Sequence, residues 1–219
     1  MRKLLATLPL AALLALSASP AHAGPPNLCR KTDRPISCTG GNATEWLTSG
    51  DAPDYLNGGG GNDRLNAQGG DDILYGGAGN DTLHGGTGND RLFGQDGFDI
   101  LLGDETGAGG TDFLSGGSGD DRIFGMAGDD VLYGDSGNDV VHGGDGTDRM
   151  YGGAGNDVLD DSPRSQQNSD YYDAGAGNDE IFSRDGKQDT IVCGPGRDVA
   201  KVDRADKVAH DCEQVIRLG

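Results

Sequence analysis

The sequence predicts an all-β fold, a solenoid of short parallel strands stacked turn upon turn. Three observations predict it: a nine-residue period, a column of carboxylates and a column of aliphatic side chains in the same register. With Gly40 as position one, copies begin at residues 40, 49, 58, 67, 76, 85 and 94 without a slip. Position six then reads Glu45, Asp54, Asp63, Asp72, Asp81, Asp90 and Asp99, and position eight reads Leu47, Leu56, Leu65, Leu74, Leu83, Leu92 and Leu101. The copy from Gly103 carries four extra residues, Glu105 to Ala108, and regains register at Gly109, which places Asp112 at position six. Copies from Gly116, Gly125, Gly134, Gly143 and Gly152 follow, with Asp121, Asp130, Asp139, Asp148 and Asp157 at position six. Ile123, Leu132, Val141, Met150 and Leu159 hold position eight in these.

Each column has a physical reason. Glycines permit positive φ and close backbone approach, so the first six residues can turn tightly and aim carbonyls inward. Aspartate supplies hard anionic oxygen, the donor that Ca²⁺ selects. The last three residues predict a short strand whose middle side chain points in and whose flanking side chains point out. No single copy can bury its own leucine, so stacking is obligatory and stability is shared between neighbouring turns.

Two adjacent copies carry the motif most fully: GGAGNDTLH from Gly76 to His84 and GGTGNDRLF from Gly85 to Phe93. In this pattern, G-G-x-G-x-D-x-U-x with U a large aliphatic residue, the chain resembles the RTX, or haemolysin-type, calcium-binding repeat family. The resemblance covers residues 40 to 160 well and 174 to 200 weakly. It implies a right-handed parallel β-roll with two nonapeptides per turn, and calcium held between one repeat and the next but one by aspartate and backbone carbonyls. The implied ligands are Asp63, Asp72, Asp81, Asp90, Asp99, Asp112, Asp121, Asp130, Asp139, Asp148, Asp157 and Asp179. Position-five asparagines such as Asn80 and Asn89 fit turn shaping, since Asn tolerates the left-handed region. The first two copies depart from the pattern, with Glu45 in place of Asp and Asp51-Ala52-Pro53 in place of the second glycine pair, so weak or absent calcium binding is expected there.

Residues 1–23 have the form of a signal peptide: Arg2 and Lys3, an apolar run from Leu4 to Leu16, and Ala21-His22-Ala23 as a small-x-small cleavage site. The apolar run is short for a membrane span, so a secreted protein is expected. The four cysteines fall as two local pairs, Cys29 with Cys38 and Cys193 with Cys212, which in an oxidising compartment read as disulfides. Zinc is the weaker alternative, because neither pair has CxxC spacing or nearby histidines. The pairs bracket the solenoid, giving an N-terminal cap over 24–39 and a C-terminal cap within 174–219.

The formal net charge is −19. Residues 40 to 160 alone carry 23 acidic and 4 basic side chains. Such repulsion, with few large hydrophobes, would hold the segment unfolded unless cations neutralise it, so calcium binding and folding are expected to be one event. The same acidity argues against nucleic acid as a partner. After Leu159 the register lapses, and residues 161–173 read as a polar loop in which Pro163 breaks any strand. The frame returns at Ala174, slips by one near Gln188 and ends at Lys201; Gln214 to Arg217 is a further candidate strand. Seven of the 17 basic residues lie beyond residue 183, where a salt-paired surface is expected rather than a face for an anionic polymer.

The chain has neither HExxH nor GxSxG. Gly134-Asp135-Ser136-Gly137 spells GDSG, but it lies in repeat frame with Ser136 at a variable position. His84 and His142 share a column three turns apart, too far to share a metal. The expectation is a non-enzymatic, calcium-binding structural or adhesive module of the cell exterior. The alternative is a hydrolase or carbohydrate-binding accessory protein using the tail or an aromatic face. That face is legible at position nine of alternate copies, Tyr75, Phe93, Tyr133 and Tyr151, where rings could meet a cell-surface polysaccharide or another extracellular protein, or simply stabilise adjacent strands.

Overall fold

The structure, a computed structural model, describes residues 29, 34–104, 109–161 and 168–217. The signal-peptide reading, most of the N-terminal cap, the insertion at 105–108 and part of the loop expected at 161–173 lie outside these residues. The described chain is a parallel β-solenoid of about ten turns, without helix, in which successive strands alternate between two ten-stranded sheets. The first sheet runs from Ser37–Thr39 to Lys207–Val208 and the second from Trp46–Thr48 to Gln214–Arg217. No helix among the described residues is long and apolar enough to cross a membrane.

Register follows from the period. Leu56 pairs with Leu74 and Leu74 with Leu92 in the first sheet, while Leu47, Leu65 and Leu83 align in the second. Eighteen residues therefore close one turn, and the two position-eight columns face each other as one continuous core. Most of these side chains, from Leu47 to Ile191, are wholly removed from water. Each buried aliphatic side chain contributes roughly 1.5–3 kcal/mol relative to exposure. The strands are longer than the expected three residues. Ile73–Ala78 and Val131–Ser136 are typical, running from position seven through position three of the next copy and leaving only positions four to six as the bend.

Both disulfides are formed, Cys29–Cys38 and Cys193–Cys212. Cys38 lies in the leucine column, paired with Leu56, so the first disulfide closes the core where no preceding leucine stacks. At the other end the strand Gln214–Arg217 pairs with Val199–Val202.

The segment expected to be loop through residue 173 resumes as the strand Tyr171–Ala176, paired with Arg149–Ala154. Tyr172 takes the leucine position and is buried. Asp170 takes position six, 22 residues after Asp148 instead of 18, so a second four-residue insertion hides the register here.

The aromatic face is more continuous than position nine alone predicts. Tyr55, Tyr75, Phe93, Phe113, Tyr133, Tyr151 and Tyr171 form an unbroken line on the first sheet, with neighbouring centroids 4.6–5.8 Å apart. Where position nine is Asn57, Ser115 or Asp173, a ring at position seven of the same strand fills the gap. Tyr75–Phe93 and Tyr133–Tyr151 stack nearly face to face, at 11° and 7°.

Candidate metal centres along the two bends

The two bends of each turn build two acidic columns. One holds Asp54, Asp72, Asp90, Asp112, Asp130, Asp148, Asp170, Asp189 and Asp206, the other Glu45, Asp63, Asp81, Asp99, Asp121, Asp139, Asp157, Asp179 and Asp198. Within each column the backbone N–H of one acid donates to Oδ1 of the acid one turn on, as in Asp81 to Asp99 and Asp130 to Asp148, at 2.7 and 2.8 Å. Each position-six carbonyl also accepts from the residue that opens the strand one turn on, as Asp81 does from Ile100 at 2.9 Å. These bonds lock the aspartates in place, with one carboxylate oxygen used.

The second oxygen is what points to an ion. In all twelve aspartates named from the sequence, Oδ2 is buried with no hydrogen-bond partner. Asp198 Oδ2, Asp104 Oδ1 and Glu45 Oε2 share that condition. A buried carboxylate oxygen left unsatisfied is costly, and a whole column of them requires a counter-charge.

The position-one glycine makes room for one. A Cβ on Gly76 would lie 2.5 Å from Asp81 Oδ2 and 2.8 Å from the Gly94 carbonyl oxygen; on Gly125 it would lie 2.5 Å from Asp130 Oδ2 and 2.6 Å from Gly143 O. Carboxylate and carbonyl oxygens of adjacent turns thus converge on the space that the missing side chain leaves, and they are the groups that would hold an ion there. Hard oxygen donors of this kind suit Ca²⁺.

Position one is not always glycine. Ser49 donates its hydroxyl to the Ala67 carbonyl at 3.0 Å, and Asp54 Oδ2 accepts from the Gly50 N–H, so this bend is satisfied without a cation. Ser183 likewise donates to Asp189 Oδ2 and contacts Asp206 Oδ2 at 3.1 Å. Ala67 and Ala174, both fully buried, put methyl groups at position one beside Asp72 and Asp179. Glycine, serine and alanine at position one thus leave a bend open, hydroxyl-filled or methyl-filled.

Burial sets the electrostatics. Desolvation pushes Asp81 and Asp99 up to about 6, Asp121 and Asp130 to about 7, and Asp72, Asp112 and Asp148 to about 8, against the lowering effect of the backbone N–H bond each accepts. Neighbouring aspartates of the same column add repulsion. Without a cation the folded state must hold protons or tolerate buried charge.

With this geometry in view, the comparison with protein families is decisive. The family model for the RTX calcium-binding nonapeptide repeat matches residues 39–74, 67–101, 106–141, 128–159 and 167–200, more than half of the chain. The chain belongs to the RTX calcium-binding repeat family. No curated protein matches it at a significant level. As an RTX protein it uses Asp170, Asp189, Asp198 and Asp206 to continue the columns past the last regular copy. The repeat count missed these four because insertions and slips separate them. Asp104 and Asp161, at the edges of the two insertions, were missed because neither occupies position six. Two groups of three carboxylates close enough to share an ion also occur, Asp148 with Asp161 and Asp170, and Asp170 with Asp185 and Asp189.

The residues toward which catalytic readings could be drawn lie in repeat positions. Ser136 ends the strand Val131–Ser136 and donates to the Gly117 carbonyl at 3.1 Å. Leu102 and Phe124 stand between His84 and His142 in the pairing order, and His142 stacks on Phe124.

Proposed function

We propose that the protein is a secreted structural or adhesive module that calcium assembles from an acidic, largely unfolded chain into a rigid rod. The observation that carries this reading is the double column of buried carboxylate oxygens with no partner, most of them beside a glycine-lined space. Bound calcium would supply positive charge between adjacent turns. The chain's own part is to hold one oxygen of each aspartate by a backbone N–H, present the other, and turn a glycine carbonyl of the next turn toward it. Because each space is shared by two turns, an ion there joins neighbours, and folding becomes cooperative along the rod.

Export is supported by the N-terminal segment and by two disulfides, which persist in oxidising compartments. A non-enzymatic role agrees with the placement of Ser136 and the histidines in repeat positions. For a carbohydrate-binding role the aromatic line is the supporting feature. Its rings, however, are half-buried, and two of its pairs cover one another's faces, which favours a staple between turns over a platform for sugar rings. An extracellular partner, polysaccharide or protein, would then be met by the rod's surface as a whole.

The test is circular dichroism of the chain from residue 24 onward, stripped of metal and titrated with calcium, with magnesium as control. A cooperative coil-to-β transition in calcium alone is expected. A β-rich spectrum in chelator that calcium leaves unchanged would overturn the reading.

A further inference from the structure

At the second insertion, position one of the repeat is neither glycine, serine nor alanine but Asp161, eighteen residues after Gly143. At the open bends of Gly58, Gly76, Gly85, Gly94, Gly103, Gly125, Gly134 and Gly152 the oxygen that faces the position-six Oδ2 is a neutral backbone carbonyl. Above Gly143 it is a carboxylate: a Cβ there would lie 2.5 Å from Asp148 Oδ2 and 2.9 Å from Asp161 Oδ1. Asp148 is wholly buried and its Oδ2 has no partner. Asp170, 5% exposed, brings a third carboxylate, and one oxygen from each of the three lies within 4.8 Å of the others.

Backbone bonds fix all three. Asp161 Oδ1 accepts from the Gly144 N–H at 2.5 Å, and Asp170 Oδ1 from the Asp148 N–H at 2.8 Å. The charges that act most on the three carboxyls are other aspartates, Asp129, Asp130 and Asp185 among them. The adjoining group of Asp170, Asp185 and Asp189 is the weaker candidate, because Asp189 Oδ2 already accepts from Ser183.

We infer that Asp148, Asp161 and Asp170 form a dedicated calcium site of higher affinity than the repeat sites, lined by three carboxylates and terminating the ion column on this bend. It deepens the calcium reading above and rests on it. Affinity of oxygen-donor sites for calcium is tuned by ligand charge, and here a full negative charge stands where the repeat offers a carbonyl. The position suits a terminus: the next bends of the column, at Asp189 and Asp206, are closed by the Ser183 hydroxyl.

Isothermal titration of the full mature chain with calcium alone tests this. The intact chain is expected to take up one ion in a tight class that orders the turns around Gly143, ahead of the cooperative class. Asp161→Asn should weaken that class by about tenfold or more while leaving the later coil-to-β transition in place. Asp161→Gly, which restores the repeat residue and keeps the test decisive if the asparagine variant fails to fold, should merge this ion into the cooperative class. Tight uptake unchanged in both variants, or no tight class in the intact chain, would overturn the inference and leave Asp161 and Asp170 as a pair sharing a proton. Absence of any calcium uptake by the intact chain would instead overturn the reading on which it rests.

Discussion

A single atom at position one decides what each bend can hold. Glycine leaves a space bounded by a carboxylate oxygen and a carbonyl oxygen, a serine hydroxyl satisfies those oxygens directly, and a methyl occupies the space without satisfying anything. Gly125→Ala should therefore remove about one ion from the calcium stoichiometry and destabilise the calcium-bound fold by roughly 1–3 kcal/mol, the usual cost of overpacking. Ala67→Gly should do the reverse, because Asp72 Oδ2 is already buried without a partner. Stoichiometry by titration and midpoints by thermal melting check both; ion counts unchanged in the two variants would deny position one this role. The sequence makes most of this legible, since carboxylate and glycine recur at fixed spacing. It does not reveal that one carboxylate oxygen is already spent on a backbone N–H, which depends on the register between turns. Nor does it mark Asp104 and Asp161 as neighbours of the columns, because they stand at positions two and one of the repeat and not at position six.

At the scale of the strand, the period predicts the alternation between sheets and the identity of the core, but not the strand lengths. Positions one to three read as turn because they are glycine-rich, yet they continue the ladder and pair with their equivalents one turn away, as Gly59 does with Gly77. Gln68, Gln95, Met126 and Asp135 hold positive φ at position two, so the path of the ladder overrides the preference of the residue. Tyr171 and Tyr172 were hidden for a related reason: Pro163 and a polar run suggest a loop, while the strand after it carries tyrosine where leucine is the rule. The aromatic line belongs to this scale. Replacing Tyr133 and Tyr151 together by serine removes a stacked pair 4.6 Å apart and its tilted contacts to Phe113 and Tyr171. A loss of about 1–3 kcal/mol in the calcium-bound state is expected from ring stacking and lost burial, measured by denaturant unfolding. Undiminished stability with loss of retention on a polysaccharide would reassign the line to recognition.

For the molecule as a whole, the linked columns make protons and calcium competitors for the same oxygens. An unfolded aspartate loses its proton near 4, whereas burial holds the folded ones up to about 6 at Asp81, Asp99 and Asp157, about 7 at Asp121 and Asp130, and about 8 at Asp112 and Asp148. The folded chain without metal therefore binds more protons than the unfolded chain between about pH 4 and 8, and its stability must rise as pH falls through that window. Below about 4 both states are protonated and the gain levels off. Calcium should reverse the dependence, because each ion taken up displaces protons, so its apparent affinity weakens with acid. Thermal melts of metal-stripped protein at pH 5 and pH 8, each repeated with calcium, separate the two effects. The metal-free chain should hold more β-structure at pH 5, and the stabilisation gained from a fixed calcium concentration should be larger at pH 8. If the metal-free chain were more stable at pH 8, the buried carboxylates would have to be neutralised by something other than protons or bound cations. The two columns would then not be what ties folding to protons and calcium.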